Sequence, residues 1–162
     1  MGMTFTEQLL IVQQVANELA SQHQQMLGPP HMLAAILSAP ESGGYRLLDQ
    51  LTMVAQLDSE IQSLVRRQPQ VQHPEEYQYP PKGKLPLTRH AKDAMEAAHK
   101  EVMQRDMRWD TVDIVAGIVC AANSDSAAIL AEHGLDAKSL EQHLTTADRA
   151  SLITHELSRT LP

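Results

Sequence analysis

Apolar positions recur along this chain at helical spacing. In TFTEQLLIVQQVANELA, Leu9, Val12, Ala16 and Leu19 fall three and four residues apart, which lines one face of a helix. Thr4 and Glu7 have the spacing of a capping box at its start. Pro29 and Pro30 suit the opening turn of a second helix, where a missing N–H costs no hydrogen bond. Met32, Leu33, Ile36 and Leu37 give that helix its buried face. Pro40 and the pair Gly43-Gly44 interrupt the pattern. YRLLDQL then predicts a short third helix and LDSEIQSLVRR a fourth, with Asp58 as its N-cap.

Residues 68–86, QPQVQHPEEYQYPPKGKLP, hold five of the nine prolines. Proline fixes φ and removes a donor, so this stretch is a linker or an extended surface loop. The helical series then restarts. LTRHAKDAMEAAHKEVMQRD puts Ala91, Ala94, Ala98 and Val102 on one face, with Thr88 as cap. WDTVDIVAGIVCAA follows, with Asp110 as cap and Asp113 placed well for the helix dipole. SDSAAILAEHG ends at Gly134, suited to the position after a helix, and LDAKSLEQHL gives one more short helix. In the tail ADRASLITHELSRTL, Ile153, Leu157 and Leu161 are in register for a ninth helix.

The two halves share their order of elements at a constant offset of 82 residues. Phe5 and Leu87, Thr6 and Thr88, Ala16 and Ala98, Ala34 and Ala116, Ile36 and Ile118, and Leu48 and Leu130 all keep it. LGPPHMLAAIL in the first half therefore corresponds to WDTVDIVAGIV in the second. A duplication of this kind predicts an all-α fold of two pseudo-symmetric four-helix repeats plus a C-terminal helix. Repeat one spans 4–67, the linker 68–86 and repeat two 87–145, forming one domain over 1–145 with a helical tail at 146–162.

Composition narrows the function classes. A chain of 162 residues suits a single domain. No apolar run has the ~18 residues of a membrane span. The amino terminus lacks the basic region and cleavage site of a secretory signal. One cysteine excludes an internal disulfide framework and fits a reducing, cytoplasmic setting. A net charge of -7 without a basic cluster, and 3% aromatic residues, argue against nucleic acid as a partner.

Candidate chemistry is sparse. The eight histidines form no H-E-x-x-H pair, so neither a metal nor another cofactor is expected. There is no G-x-S-x-G elbow and no phosphate-cradling G-x-x-x-x-G-K-[ST] loop, so no enzymatic activity is expected. Cys120, on an apolar helix without nearby cations, reads as a buried, inert thiol. His31 reads as a residue that ties helix two to helix one by hydrogen bonding, or else as a groove contact. Trp109 corresponds to Leu27 and reads as core packing, with a binding role as the other reading. Met26, Met32, Met53 and Met95 read as core fillers. Met103 and Met107, four apart near Arg105 and Arg108, are candidates for a partly exposed patch.

Two stretches carry a more specific resemblance. GKLPLTRHAKDAMEAAHKE, Gly83 to Glu101, resembles the start of the second repeat in the amino-terminal domain of Clp-type AAA+ unfoldases. GPPHMLAAIL resembles that family's Gly-Thr-Glu-His-Leu-Leu segment, with Gly28, His31 and Leu33 matching, and FTEQ resembles its Phe-Thr start. The resemblance covers about residues 4–145. It implies eight helices in two repeats and a noncatalytic module that docks protein adaptors or unfolded substrates for an ATP-dependent unfoldase or protease. It also implies that Phe5, Leu87 and Lys92 border the surface used by ligands. Pro30 and Val112 stand where some relatives place the glutamates that receive phosphorylated arginine. Neither balances a guanidinium, so that recognition is expected to be absent. Without a motor motif, the chain is either a domain of a longer unfoldase or a free-standing homologue. A free-standing copy would act as a regulator or sequestering protein.

Overall fold

Short polar side chains set where the helices begin. Thr6, Ser42, Thr88, Ser124 and Asp136 each lie in extended backbone before a helix and accept the amide three residues on. The distances run from 2.8 Å for Ser139 N to Asp136 Oδ1 up to 3.4 Å for Leu9 N to Thr6 Oγ1. Such a cap satisfies a backbone donor the helix leaves unpaired. Thr6 and Thr88, and Ser42 and Ser124, are offset by 82, so the duplication extends to the caps.

The computed structural model describes residues 3–72, 86–144, 149, 151–152 and 160–161. Repeat one contains α1 (Glu7–Gln22), α2 (Pro29–Leu37), α3 (Gly43–Leu51) and α4 (Val54–Arg66). Repeat two contains α5 (Arg89–Gln104), α6 (Thr111–Ala121), α7 (Asp125–Glu132) and α8 (Ala137–His143). The first three helices of each repeat start 82 residues apart, and the fourth 83. The fold is therefore the expected all-α pair of four-helix repeats.

α2 is buried along its whole length, and α6 over all but its last two residues, the remaining helices packing around them. Buried Leu33, Ile36, Leu48, Leu57, Ile61, Ile118 and Leu130 share one core with the Ala91, Ala94 and Ala98 face of α5. α5 lies close on α6 because Gly117 has no side chain. A Cβ there would fall 2.3 Å from the Ala94 carbonyl oxygen and 2.9 Å from Ala98 Cβ. The repeats are joined by polar links as well. Gly44 N–H donates to Thr111 Oγ1 at 2.8 Å, and His133 Nε2 meets Glu60 Oε2 at 2.8 Å.

Several local expectations are corrected. α1 is capped by Thr6 rather than by a Thr4–Glu7 box, because Thr4–Thr6 forms a strand, β1. α3 starts at Gly43, so the glycine pair opens the helix that it was expected to precede. Gly44 there lies against Ile36 and Thr111. α4 starts at Val54 with Met53 as N-cap, placing Asp58 inside the helix. Cys120 is exposed, since α6 ends beside it. Partial desolvation, then the Glu101 carboxylate, raise its thiol pKa above the usual value, which opposes thiolate formation.

Short strands add to the helices. β1 is the middle strand of a three-stranded sheet between β2 (Arg108–Trp109), which is parallel to it, and β3 (Thr160–Leu161), which is antiparallel. The tail is thus not helical throughout. Leu161, expected in helical register, lies in a strand, while Ile153 and Leu157 fall outside the described residues. The linker between repeats is described at its ends only. Met26 N–H donates to the Pro69 carbonyl at 2.8 Å, and Leu27 N–H donates to the Pro86 carbonyl at 3.0 Å. Both ends are therefore fastened to the turn between α1 and α2. Among the described residues, no single helix is long and apolar enough to cross a membrane.

Candidate functional site

The helix starts at the repeat boundary repeat one another's chemistry. Gly28 N–H donates to His31 Nδ1 at 3.0 Å. In repeat two, Asp110 N–H donates to Asp113 Oδ2 at 2.8 Å. In each case a side chain in the first turn reaches back to the capping residue's amide. His31 is fully buried, and its role follows from its partners. Nδ1 accepts, so Nε2 carries the proton and donates to Gln25 Oε1 at 2.8 Å, while Gln25 Nε2 donates to the Val65 carbonyl at 2.7 Å. Burial, with the nearby His23, lowers the His31 pKa to about 4, against a hydrogen bond from Gly28 that acts to raise it. His31 is a tie between α2, the α1–α2 turn and α4. It does not line a groove.

The strand pairings place the cleft. Phe5 pairs with Trp109, and Leu87 pairs with Leu27, both in parallel register. Phe5 and Leu87 are offset by 82, as are Leu27 and Trp109. Each repeat therefore pairs its leading segment, a strand at Phe5 and a single bridge at Leu87, with the other, the reciprocity expected about a two-fold axis.

A cleft of about 430 Å³ opens beside these pairings. Five of its lining pairs keep the offset of 82: Phe5 and Leu87, Gln13 and Met95, Asn17 and His99, Leu27 and Trp109, Met32 and Ile114. Leu10, Val12 and Ala16 of α1 complete one wall. Its lining is mostly apolar, with the side chains of Gln13, Asn17 and His99 as its polar groups. Ring centroids of Phe5 and Trp109 lie 6.4 Å apart, and those of His99 and Trp109 6.2 Å apart. Trp109 Nε1 points at Met3 Sδ, 2.8 Å away. Trp109 is thus buried, as expected of core, yet it also forms part of the cleft floor.

Of the sequence candidates, Phe5 and Leu87 meet in this cleft, both half-buried. Lys92 is exposed on α5 outside its lining, and His31 is buried elsewhere. Met103 and Met107 do not pair on one helix face. α5 ends at Gln104, and Met107 lies beyond it with φ 56°. Met103 is exposed and Met107 half-buried, both outside the cleft lining. Of the methionines expected as core, only Met32 is buried: Met26 lies in the α1–α2 turn, Met53 caps α4, and Met95, half-buried midway along α5, lines the cleft. Gln13, Asn17 and His99 were not singled out from the sequence, and Met95 was read there as a core filler. The signal that finds them is the offset of 82 applied to the polar positions of α1 and α5.

An ionic cluster stands at the start of α6. Asp113 accepts from Arg105 Nη2 at 3.1 Å and from Arg149 Nη2 at 3.0 Å, and Arg149 also donates to Asp110. Both aspartates are buried, so each carboxylate depends on these partners. Among the described residues, no three His, Cys, Asp or Glu side chains converge as metal ligands.

Comparison with known proteins agrees with this architecture. The family model of the Clp repeat N-terminal domain matches residues 4–132, and the chain belongs to that family. No curated protein matches the chain. A solved chain from a malarial protein secretion system has a TM-score of 0.68 at 15% identity, covering 91% of this chain and 97% of that one. The crystal structure of the Hsp104 N-terminal domain from Candida albicans has a TM-score of 0.63 at 18% identity, covering 91% and 90%. At such identities, these two neighbours define the fold.

Proposed function

We propose that this chain is a noncatalytic docking module. Its inter-repeat cleft holds a segment of an adaptor or unfolded substrate of a Clp-type unfoldase or protease. The observation that carries this reading is the cleft itself, apolar and lined by five residue pairs related by the internal duplication. An apolar cavity of this size with a few polar groups in its lining suits side chains from a bound segment. Gln13, Asn17 and His99 in its lining supply donors and acceptors for that segment's backbone. Membership of a family whose domains bind protein substrates or adaptors supports the same reading. The buried positions of Pro30 and Val112 offer no carboxylate to a phosphorylated arginine, so binding is expected to depend on apolar side chains.

Titration of fluorescein-labelled, reduced and carboxymethylated lactalbumin, a permanently unfolded probe, with the chain, followed by fluorescence anisotropy, tests the proposal. Leu87→Glu should weaken binding at least tenfold, because it places a charge inside the cleft. Lys92→Glu should leave binding unchanged, because Lys92 lies outside it. Equal binding by wild type and Leu87→Glu would remove the cleft from the mechanism.

A further inference from the structure

The outer edge of β1 is where a segment beyond the repeats comes to rest. Thr4 N–H donates to the Met107 carbonyl at 3.0 Å, toward β2. Successive amides of a strand point to opposite edges, so the Phe5 amide faces away from β2. On that side its register partner is Leu161, with Thr6 opposite Thr160. Phe5 and Leu161 are therefore the hydrogen-bonded kind of antiparallel pair, each amide facing the other's carbonyl.

A strand pair this short is marginal by itself. The same segment has a second fastening. Arg149 is buried, and its Nη2 donates to Asp110 and, at 3.0 Å, to Asp113. Leu152, three residues on, is buried in the core cluster. Asp110 directly follows Trp109 of β2, so the clamp stands next to the sheet. Anchoring one end of a segment raises the effective concentration of the rest at a neighbouring site.

We propose that the outer edge of β1 is a strand-addition site for an extended polypeptide. The chain's own C-terminal segment is its cis occupant, retained by the Arg149 clamp. Strand addition takes its affinity from main-chain hydrogen bonds, so an edge that accepts Thr160–Leu161 accepts other extended sequences of suitable side chains. A strand added there adjoins the one that carries Phe5 into the cleft. An incoming segment must displace the chain's own tail, and the tail thereby sets the threshold for binding.

The test uses the full chain and two readouts. Amide exchange followed by NMR should show Phe5 N–H protected in wild type and at least tenfold faster in Leu161→Pro, with Ile36 N–H of α2 unchanged. That substitution removes the tail's donor and leaves the Asp113 clamp intact. A fluorescein-labelled peptide with the sequence of residues 149–162 should bind the Arg149→Ala/Leu161→Pro chain at least ten times more tightly than it binds wild type. If the doubly substituted chain does not fold, the Leu161→Pro exchange result decides. Rapid exchange at Phe5 in wild type, equal protection in Leu161→Pro, or equal peptide binding by both chains would overturn the proposal. Neither readout uses a cleft ligand, so failure here is distinct from failure of the docking function.

Discussion

Phe5 of repeat one pairs with Trp109 of repeat two, and their rings stand 6.4 Å apart over the cleft. The reciprocal pair, Leu87 with Leu27, is aliphatic. The two ends of the approximate dyad are thus geometrically alike and chemically different, with the aromatic surface at one end only. Phe5→Ala removes a half-buried ring that touches both repeats. It should destabilise the fold by about 1–3 kcal/mol, below the range for a fully buried phenylalanine. It should also shift the emission of Trp109, the sole tryptophan. Urea unfolding followed by that fluorescence measures both. An unchanged spectrum would mean that the ring pair does not persist in solution.

His31 makes stability depend on acid. Burial depresses its folded pKa from 6.5 to about 4. Between those values the unfolded chain takes up a proton that the folded chain refuses. The His31 contribution is fully present above about pH 6.5 and is lost as pH falls toward 4. At about 1.4 kcal/mol per pH unit, the loss amounts to roughly 3 kcal/mol. His31→Asn keeps an acceptor for Gly28 N–H and removes the titration. Its stability should therefore fall less than that of wild type between pH 6.5 and 4, although it starts lower at pH 7. Parallel pH profiles for the two proteins would contradict the buried neutral imidazole.

Gly117 is required by close packing and not by backbone conformation. A methyl group there meets the Ala94 carbonyl, a backbone atom that moves only if α5 moves. Gly117→Ala gains helix propensity of at most about 1 kcal/mol. The clash outweighs that gain, and a net destabilisation of about 1–3 kcal/mol is expected. The corresponding residue of repeat one is Ala35, which is buried, so Ala35→Gly should cost about 1–2 kcal/mol through lost helix propensity and a lost buried methyl. Thermal unfolding of the two variants checks the order. Gly117→Ala being neutral would place α5 farther from α6 than found here.

The sequence was most informative where one physical signal decided the outcome. Thr88, Ala91, Ala94, Ala98 and Val102 show both cap and periodicity, and α5 follows them closely. It was least informative where a long-range partner decided. Thr4 looks like a cap until Arg108 pairs with it as a strand. Gly43-Gly44 looks like a break until Ser42 caps the helix and Thr111 takes the Gly44 amide. The cleft was half legible. Phe5 and Leu87, reached through the family resemblance, both line it. Lys92, Met103 and Met107 lie outside its lining, because position along the sequence does not say which concave surface a side chain faces. Arg149 left no local signal, since its partners lie 36 and 39 residues earlier.

Asp113 should matter more than either arginine it binds. Its carboxylate serves three donors: the Asp110 amide, Arg105 and Arg149. Asp113→Ala leaves a buried guanidinium and a capping amide without that acceptor, and breaking a buried pair in this way costs about 3–5 kcal/mol. Asp113→Asn keeps an acceptor for the amide and should recover part of the loss. Arg105 is partly exposed, so screening by water limits its share, and Arg105→Ala should cost about 1 kcal/mol or less. Arg149 is the buried cation, so Arg149→Ala should fall between Arg105→Ala and Asp113→Ala. Denaturation midpoints of the four variants give the order directly. If Arg149→Ala proved as mild as Arg105→Ala, the tail would contribute nothing to the repeat-two core, and the clamp would be only a surface contact.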